Sequence, residues 1–240
     1  MSTVQASRLV KNYDRAAWFY ESTAAFFSAG QIRASKKYTT TLVRPGEKVI
    51  FLGVGTGEEA ILAAKKGASV TCVDISIQML ERLRRRLEKQ NLTAEIICQN
   101  AFDHDRIEYY DACAANYFLN VFRHDDMVQM MNHAASLVKS GGRFMIADVA
   151  IGQGSPFSRA FNLVYLKSAM TTFWALGLVP LHRNYRYVDY FANAGIEFDH
   201  VKNFRLFKGG PVLFQTTIGL KRARTLAATK PGDQVVLTGR

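Results

Sequence analysis

The sequence predicts an α/β fold: a doubly wound, mostly parallel, seven-stranded sheet with an antiparallel closing strand and a helical lid. Three observations carry this reading. Apolar strands alternate with helices of similar length from residue 44 to 149, the pattern of strand–helix–strand units. The first strand, Val49-Ile50-Phe51-Leu52, runs straight into Gly53-Val54-Gly55-Thr56-Gly57, and the next, Val70-Thr71-Cys72-Val73, ends on Asp74. Beyond residue 196 the alternation stops, and two strands face each other across Lys208-Gly209-Gly210-Pro211, which reads as a closing hairpin.

The elements follow in order. Residues 1–43 read as helical: Tyr13, Ala17 and Tyr20 share one face at i, i+4, i+7, continued by Ala24 and Phe27. Gly30 breaks that pattern, and a second helix runs from Ile32 to Leu42. Pro45-Gly46 turns the chain into the first strand. Glu58-Glu59-Ala60 opens a helix through Ala64, and the second strand spans 69–74. From Ile77 to Gln90 a helix turns Met79, Leu80, Leu83 and Leu87 inward and its arginines outward. A third strand covers 94–98, and a fourth runs from Asp111 to Asn116. A helix from Asp125 to Val138 directs Met127, Met130, Met131 and Ala134 to the core. Ser140-Gly141-Gly142 reads as a turn before a fifth strand, Arg143 to Val149. Ser155-Pro156 is a helix start, a cap followed by proline at the first helical position. Residues 157–181 are strongly apolar. Tyr185 to Ala194 reads as a helix ended by Gly195, and Glu197–Phe204 and Val212–Leu220 are the last two strands. The organisation is an N-terminal helical lid (1–43), a core (44–222) with a lid insertion (152–192), and a flexible basic tail (223–240).

Composition bounds the partners. With 240 residues and 48% apolar content, the chain buries a large core and is not a disordered protein. The first fifteen residues are polar and lack a signal-like apolar run. Cys72, Cys98 and Cys113 all fall in predicted strands; an odd set of buried, unpaired thiols suits a reducing cytoplasm. No cysteine–histidine cluster has zinc spacing, and no metal is expected. The net charge is +11, and residues 202–240 hold eight basic residues against Asp233 alone. Arg82, Arg84, Arg85 and Arg86 form a second cluster. Solvated helix faces account for such charge. The sharper reading is peripheral contact with an anionic inner-membrane surface, worth about 1 kcal/mol per basic residue. Nucleic acid ranks lower, because the tail lacks the interleaved aromatics of a single-strand platform. Residues 163–181 are nearly long enough to span a bilayer, but Lys167, Ser168, Thr171, Thr172 and Gly177 weaken that reading. A span there would also separate two strands of one sheet, so a lid over an apolar acceptor pocket is expected instead.

Strand, glycine loop, helix, strand, acid is the signature of a nucleotide-type cofactor. The glycines permit a tight turn and close backbone approach. Asp74, at the tip of the second strand, is placed to accept two ribose hydroxyls; the structural alternative is an N-cap shared with Ser76. Met79 either packs on a base or belongs to the core.

Over about residues 10–220 these segments resemble the class I S-adenosylmethionine-dependent methyltransferases. Within that superfamily the chain looks most like the ubiquinone/menaquinone-biosynthesis C-methyltransferases. The resemblance rests on Tyr13-Asp14-Arg15-Ala16-Ala17 with Tyr20, the Gly53–Gly57 loop, Asp74-Ile75-Ser76 with Met79-Leu80, Phe118-Leu119-Asn120-Val121, Leu137 to Arg143, and Ala194-Gly195-Ile196. It implies a Rossmann-like methyltransferase fold with S-adenosylmethionine as cofactor. Gly53, Val54, Gly55, Thr56, Gly57, Asp74, Ile75 and Met79 would hold it. Asn100, Ala101, Phe102 and Asp103 would read its adenine, and Asn116 and Tyr117 would lie beside the methyl group. The family usually has an acid where this chain has Phe51, and that acid helps hold the cofactor's ammonium. Glu58 either compensates or only complements the positive end of its helix. A lone histidine is usually structural. Among His104, His124, His133, His182 and His200, His124 follows the fourth strand, so His124 and lid residue Tyr13 are the better candidates for proton handling. Tyr20, Phe161, Tyr165 and Trp174 are the expected acceptor contacts. The implied substrate is a small apolar or lipid-linked molecule such as a quinone precursor ring. The rivals are N-methylation of a phospholipid or small amine, cofactor binding with atypical sulfonium chemistry or no methyl transfer, and, on charge alone, RNA methylation.

Overall fold

The computed structural model describes residues 28–151, 160–165, 167, 168, 171 and 184–223. Among them the elements run α1 (Gln31–Thr41), β1 (Lys48–Leu52), α2 (Glu58–Lys65), β2 (Ser69–Asp74), α3 (Ile77–Glu88), β3 (Glu95–Cys98), β4 (Tyr110–Ala114), α4 (His124–Ser136), β5 (Val138–Val149), α5 (Val188–Phe191), β6 (Ile196–Arg205) and β7 (Val212–Lys221). The seven strands form one sheet in the order β3-β2-β1-β4-β5-β7-β6. β1 pairs in parallel with β2 and β4, β2 with β3, and β4 with β5. β7 alone runs antiparallel, between β5 and β6. The chain reverses its direction of travel across the sheet between β1 and β4, and ligands of such sheets bind outside the carboxyl ends of the strands at that point.

Each face of the sheet has its own core. On one side α2 and α3 bury Ala60, Ile61, Leu80, Leu83 and Leu87 against Val49, Phe51, Val70 and Cys72. On the other, α4 buries Met127, Met130 and Met131 against Ile50, Leu52, Cys113 and Phe144. Alternate residues of one strand thus feed opposite cores, as expected of a sheet covered on both faces.

Several details differ from the sequence reading. Ser140-Gly141-Gly142 is not a turn but part of β5, whose register against β4 shifts between Tyr110 and Ala112. Gly141 has φ +75°, and a Cβ on Gly142 would lie 2.9 Å from the Asp111 carbonyl oxygen, so both glycines serve a bulge. The helix expected over Tyr185–Ala194 shortens to Val188–Phe191, because Tyr185 and Tyr187 turn into the core instead. Cys72 and Cys113 are buried, but Cys98, at the end of edge strand β3, is exposed. The first helical segment, the helix start at Ser155-Pro156 and the tail beyond residue 223 lie outside the described residues. Among the described residues no helix is long and apolar enough to cross a membrane.

Candidate active site

The glycine loop caps the carboxyl ends of β1 and β2. Gly53, Gly55 and Gly57 have φ of +62°, +56° and +69°, a left-handed conformation that only glycine adopts without strain. They differ in what surrounds them. A Cβ on Gly53 would meet Phe118 Cδ2 at 2.3 Å, and one on Gly57 would meet Leu83 Cδ1 at 2.5 Å. One on Gly55 would meet nothing within 4 Å. The outer glycines are therefore packing positions, while Gly55 faces open space. Val54 is buried, and the Arg86 guanidinium of α3 donates to the Thr56 carbonyl at 2.8 Å. Asp74 lies opposite. Its Oδ2 accepts from the Gly55 N–H at 2.8 Å and its Oδ1 from the Ser76 N–H at 2.9 Å. Ser76 itself caps α3 through Met79 N–H, so Asp74 is a strand-tip acid and not the helix cap.

Around this cradle the predicted residues separate. Ile75 is 47% exposed beside Asp74, whereas Met79 is buried. Asn100 Oδ1 accepts from Phe102 N–H and closes the short turn Ala101–Asp103. Ala101 is buried and Asp103 exposed. Phe102 meets Phe122 edge-on at 6.1 Å, and Phe122 meets Phe118 at 5.2 Å, a row of rings leading back to Gly53. Asn116 stands at the tip of β4, its Oδ1 accepting from Ala147 N–H at 3.1 Å. Tyr117 has φ +51°, a strained value for a tyrosine, and its hydroxyl lies 2.9 Å from Ser35 Oγ of α1. His124 is exposed and bound to Asp125 and the Tyr190 hydroxyl at 2.9 and 3.2 Å. Phe161 stacks on Tyr165 at 5.9 Å and is 37% exposed. Tyr13, Tyr20 and Trp174 lie outside the described residues.

Glu58, weighed above as compensating for Phe51, and its neighbour Glu59 face opposite ways. Glu58 turns outward to Arg33 and Lys37 of α1. Glu59 turns inward: its side chain is 6% exposed, its Oε1 lies 3.0 Å from Lys36 Nζ and 3.5 Å from Asn116 Nδ2. Glu59 Oε2 is buried without a hydrogen-bond partner among the described residues. Phe51 is buried in the core under α2, so an acid there would be desolvated.

Residues 49–142, from β1 into β5, match the family model described as a methyltransferase domain. That segment, 94 of the 240 residues, is similar to a methyltransferase domain. The chain is 28% identical over 165 residues, 66% of this chain and 64% of the relative, to a demethylmenaquinone methyltransferase of Mycobacterium marinum. It is 30% identical over 130 residues, 49% of this chain and 41% of the relative, to an S-adenosyl-L-methionine-dependent Diels-Alderase of Talaromyces variabilis. The chain thus spans less than two thirds of the length of these curated relatives. Among solved structures it is similar to the 1,6-didemethyltoxoflavin-N1-methyltransferase of Burkholderia thailandensis, with a TM-score of 0.64 at 13% identity over 93% of this chain and 92% of that one. Its fold is that of the S-adenosylmethionine-dependent methyltransferases.

The carboxyl edge of the sheet also holds a polar cluster that the sequence reading missed. Asp148, at the end of β5, is buried; its Oδ2 accepts from the Tyr187 hydroxyl at 2.5 Å, and its Oδ1 from Asn120 Nδ2 at 3.0 Å and Val149 N–H at 2.7 Å. Burial pushes its carboxyl up to about 6, against the three hydrogen bonds that favour the charged form. Burial, then the Asp148 charge, pushes the Tyr187 phenol well above its ordinary value. A signal was present: Phe144-Met145-Ile146-Ala147 ends in an acid, as Val70 to Val73 does.

Proposed function

We propose that the chain is an S-adenosylmethionine-dependent methyltransferase whose acceptor is a small apolar or lipid-linked molecule such as a quinone precursor ring. The observation that carries the cofactor is the cradle at Gly55, open above the backbone and set against Asp74. Its donor set fits the group. Asp74 holds two backbone N–H groups that ribose hydroxyls can replace or share. Glu59 Oε2 lacks a donor, which an ammonium supplies. Ile75 and Phe102 offer apolar surface to a purine. When bound, the cofactor supplies a methyl group on a sulfonium, already a strong electrophile. The chain then has to hold the acceptor in line and exclude water. A phenol or carbon acceptor must also lose a proton, whereas an amine has only to be neutral.

The acceptor class is supported by the relative named for demethylmenaquinone and by the aromatic row Phe102–Phe122–Phe118 that ends against Gly53 of the cradle. The basic residues after 202 would hold the protein against an anionic bilayer, where such acceptors partition. A second reading, cofactor-dependent chemistry without methyl transfer, is favoured by the Diels-Alderase relative.

The test is mass spectrometry of quinone and lipid extracts incubated with the protein and cofactor labelled in its methyl group. Label in a quinone precursor is the expected result. Label in phospholipid headgroups or small amines moves the acceptor to the rival class. A changed extract component with the label still on the cofactor favours the second reading. Preferred labelling of tRNA or rRNA fragments overturns the apolar acceptor.

A further inference from the structure

Asn120 is 5% exposed, and its amide is oriented by charge. Its Nδ2 donates to Asp148 Oδ1. An ionised carboxylate only accepts, so the NH2 group must face Asp148 and the amide oxygen must face away. That oxygen, Asn120 Oδ1, is buried and has no hydrogen-bond partner among the described residues. A buried acceptor left unpaired is costly, and native structures pair nearly all of them. Asp148 cannot turn to relieve it, since Tyr187 and the Val149 N–H hold both its oxygens.

The place of Asn120 says what its missing partner is. It lies in the loop after β4, at the carboxyl edge of the sheet where ligands bind. Two residues earlier, Phe118 presses against Gly53 of the cofactor cradle. Two residues later, Phe122 joins the row of rings. The loop thus carries one unpaired acceptor between two aromatic residues that lead to the cradle.

We propose that Asn120 Oδ1 accepts a hydrogen bond from an O–H or N–H carried by the methyl acceptor, with Asp148 and Tyr187 as positioning residues that keep the oxygen facing it. The inference rests on the methyltransferase reading and adds a selection rule to it: ring acceptors bearing a donor bind, and their capped counterparts do not.

The experiment compares 1-naphthol with 1-methoxynaphthalene, the same ring with and without a donor. Affinities are read by fluorescence titration of the full chain with S-adenosylhomocysteine bound. The assay runs at about pH 8, above the value to which burial raises Asp148. Wild type is expected to prefer 1-naphthol about tenfold, the size of one neutral hydrogen bond. Asn120→Ala should bind both rings equally. Asp148→Asn keeps its carbonyl oxygen toward Val149 N–H and Asn120 Nδ2 and turns its NH2 to the Tyr187 hydroxyl, which can accept, so the Asn120 amide stays oriented. That variant should keep the preference for 1-naphthol. Asp148→Ala, which leaves the amide free to turn, should weaken the preference while keeping the affinity for 1-methoxynaphthalene, a split that a purely structural role for Asp148 does not predict. Indifference of the wild type, or an undiminished preference in Asn120→Ala, overturns the proposal. If wild type binds S-adenosylhomocysteine but neither naphthalene, the proposal falls and the cofactor reading stands. If it does not bind S-adenosylhomocysteine, both fall.

Discussion

Glu59→Gln isolates the capture of the cofactor's amino-acid arm. In the folded protein Glu59 is almost fully enclosed, with Lys36 on one oxygen and nothing on the other. A charge-assisted hydrogen bond from an ammonium to that second oxygen contributes about 1.5–3 kcal/mol. Each 1.4 kcal/mol is a factor of ten in affinity, so the variant should bind S-adenosylhomocysteine about ten- to a hundredfold more weakly. Stability should change far less, by about 1 kcal/mol, because the Lys36 side chain is 32% exposed and can rehydrate once its partner is neutral. The measurement is titration calorimetry with S-adenosylhomocysteine and with 5′-methylthioadenosine, which lacks the amino-acid arm. Only the first ligand should lose affinity. Glu58→Gln, which removes a half-exposed partner of Arg33, should leave both ligands unaffected. Equal losses for the two ligands, wild-type affinity in Glu59→Gln, or a larger loss in Glu58→Gln would refute the assignment of Glu59.

Three further outcomes follow from the same edge of the sheet. Gly53→Ala adds a methyl 2.3 Å from the Phe118 ring at a φ of +62°, so thermal melts should show a loss of about 2–5 kcal/mol, overpacking added to left-handed strain. Gly55→Ala carries only the strain, about 1–2 kcal/mol, yet calorimetry should show cofactor binding abolished because its methyl occupies the open space. Asp148 predicts a pH dependence: its carboxyl stands at about 6 in the folded chain against an ordinary 3.8, so the native state binds this proton more tightly than the unfolded state does. The sign is a cost above pH 6 that is relieved as pH falls through 6 toward 4, about 3 kcal/mol in all at 1.4 kcal/mol per unit. In urea unfolding, the stability of Asp148→Asn relative to wild type should therefore fall by about that amount between pH 7 and 4; a difference flat with pH contradicts the assignment.

The sheet was legible in the sequence because its strands are short apolar runs with hard stops. Ser69–Asp74 begins after Gly67-Ala68 and ends on an acid, and the structure places β2 over those residues. Where glycine was read as an interruption the reading failed: Gly141 and Gly142 bend β5 without ending it, since a bulge and a turn use the same residues for the same conformational reason. Tyr185 and Tyr187 were drawn into a helix by their spacing, but their burial against α4 and β5 decides their conformation, and that contact is invisible locally. The same limit governs the acids at the start of α2. Neighbouring residues on a helix point about 100° apart, and nothing local says which faces inward. The docking of α1 decides it, with Arg33 and Lys37 drawing Glu58 out and Lys36 holding Glu59 in.

Asp74 and Asp148 show why a shared sequence signal leads to different roles. Each ends an apolar strand at the carboxyl edge of the sheet, on opposite sides of the switch between β1 and β4. Asp74 is half-buried, and it accepts from N–H groups of the Gly55 loop and of Ser76. In the proposed reading a ribose arrives at those donors, and a partly solvated carboxylate can add hydroxyl donors without giving them up. Asp148 is buried, and two of its three contacts are the side chains of Tyr187 and Asn120. Replacing those donors would strand a charge away from water, which is far costlier than rearranging a solvated one. Asp74 is thus built to exchange partners and Asp148 to keep them. The fixed acid acts on a ligand only through what it orients, and its oriented neighbour, Asn120, is the group left with an unpaired oxygen.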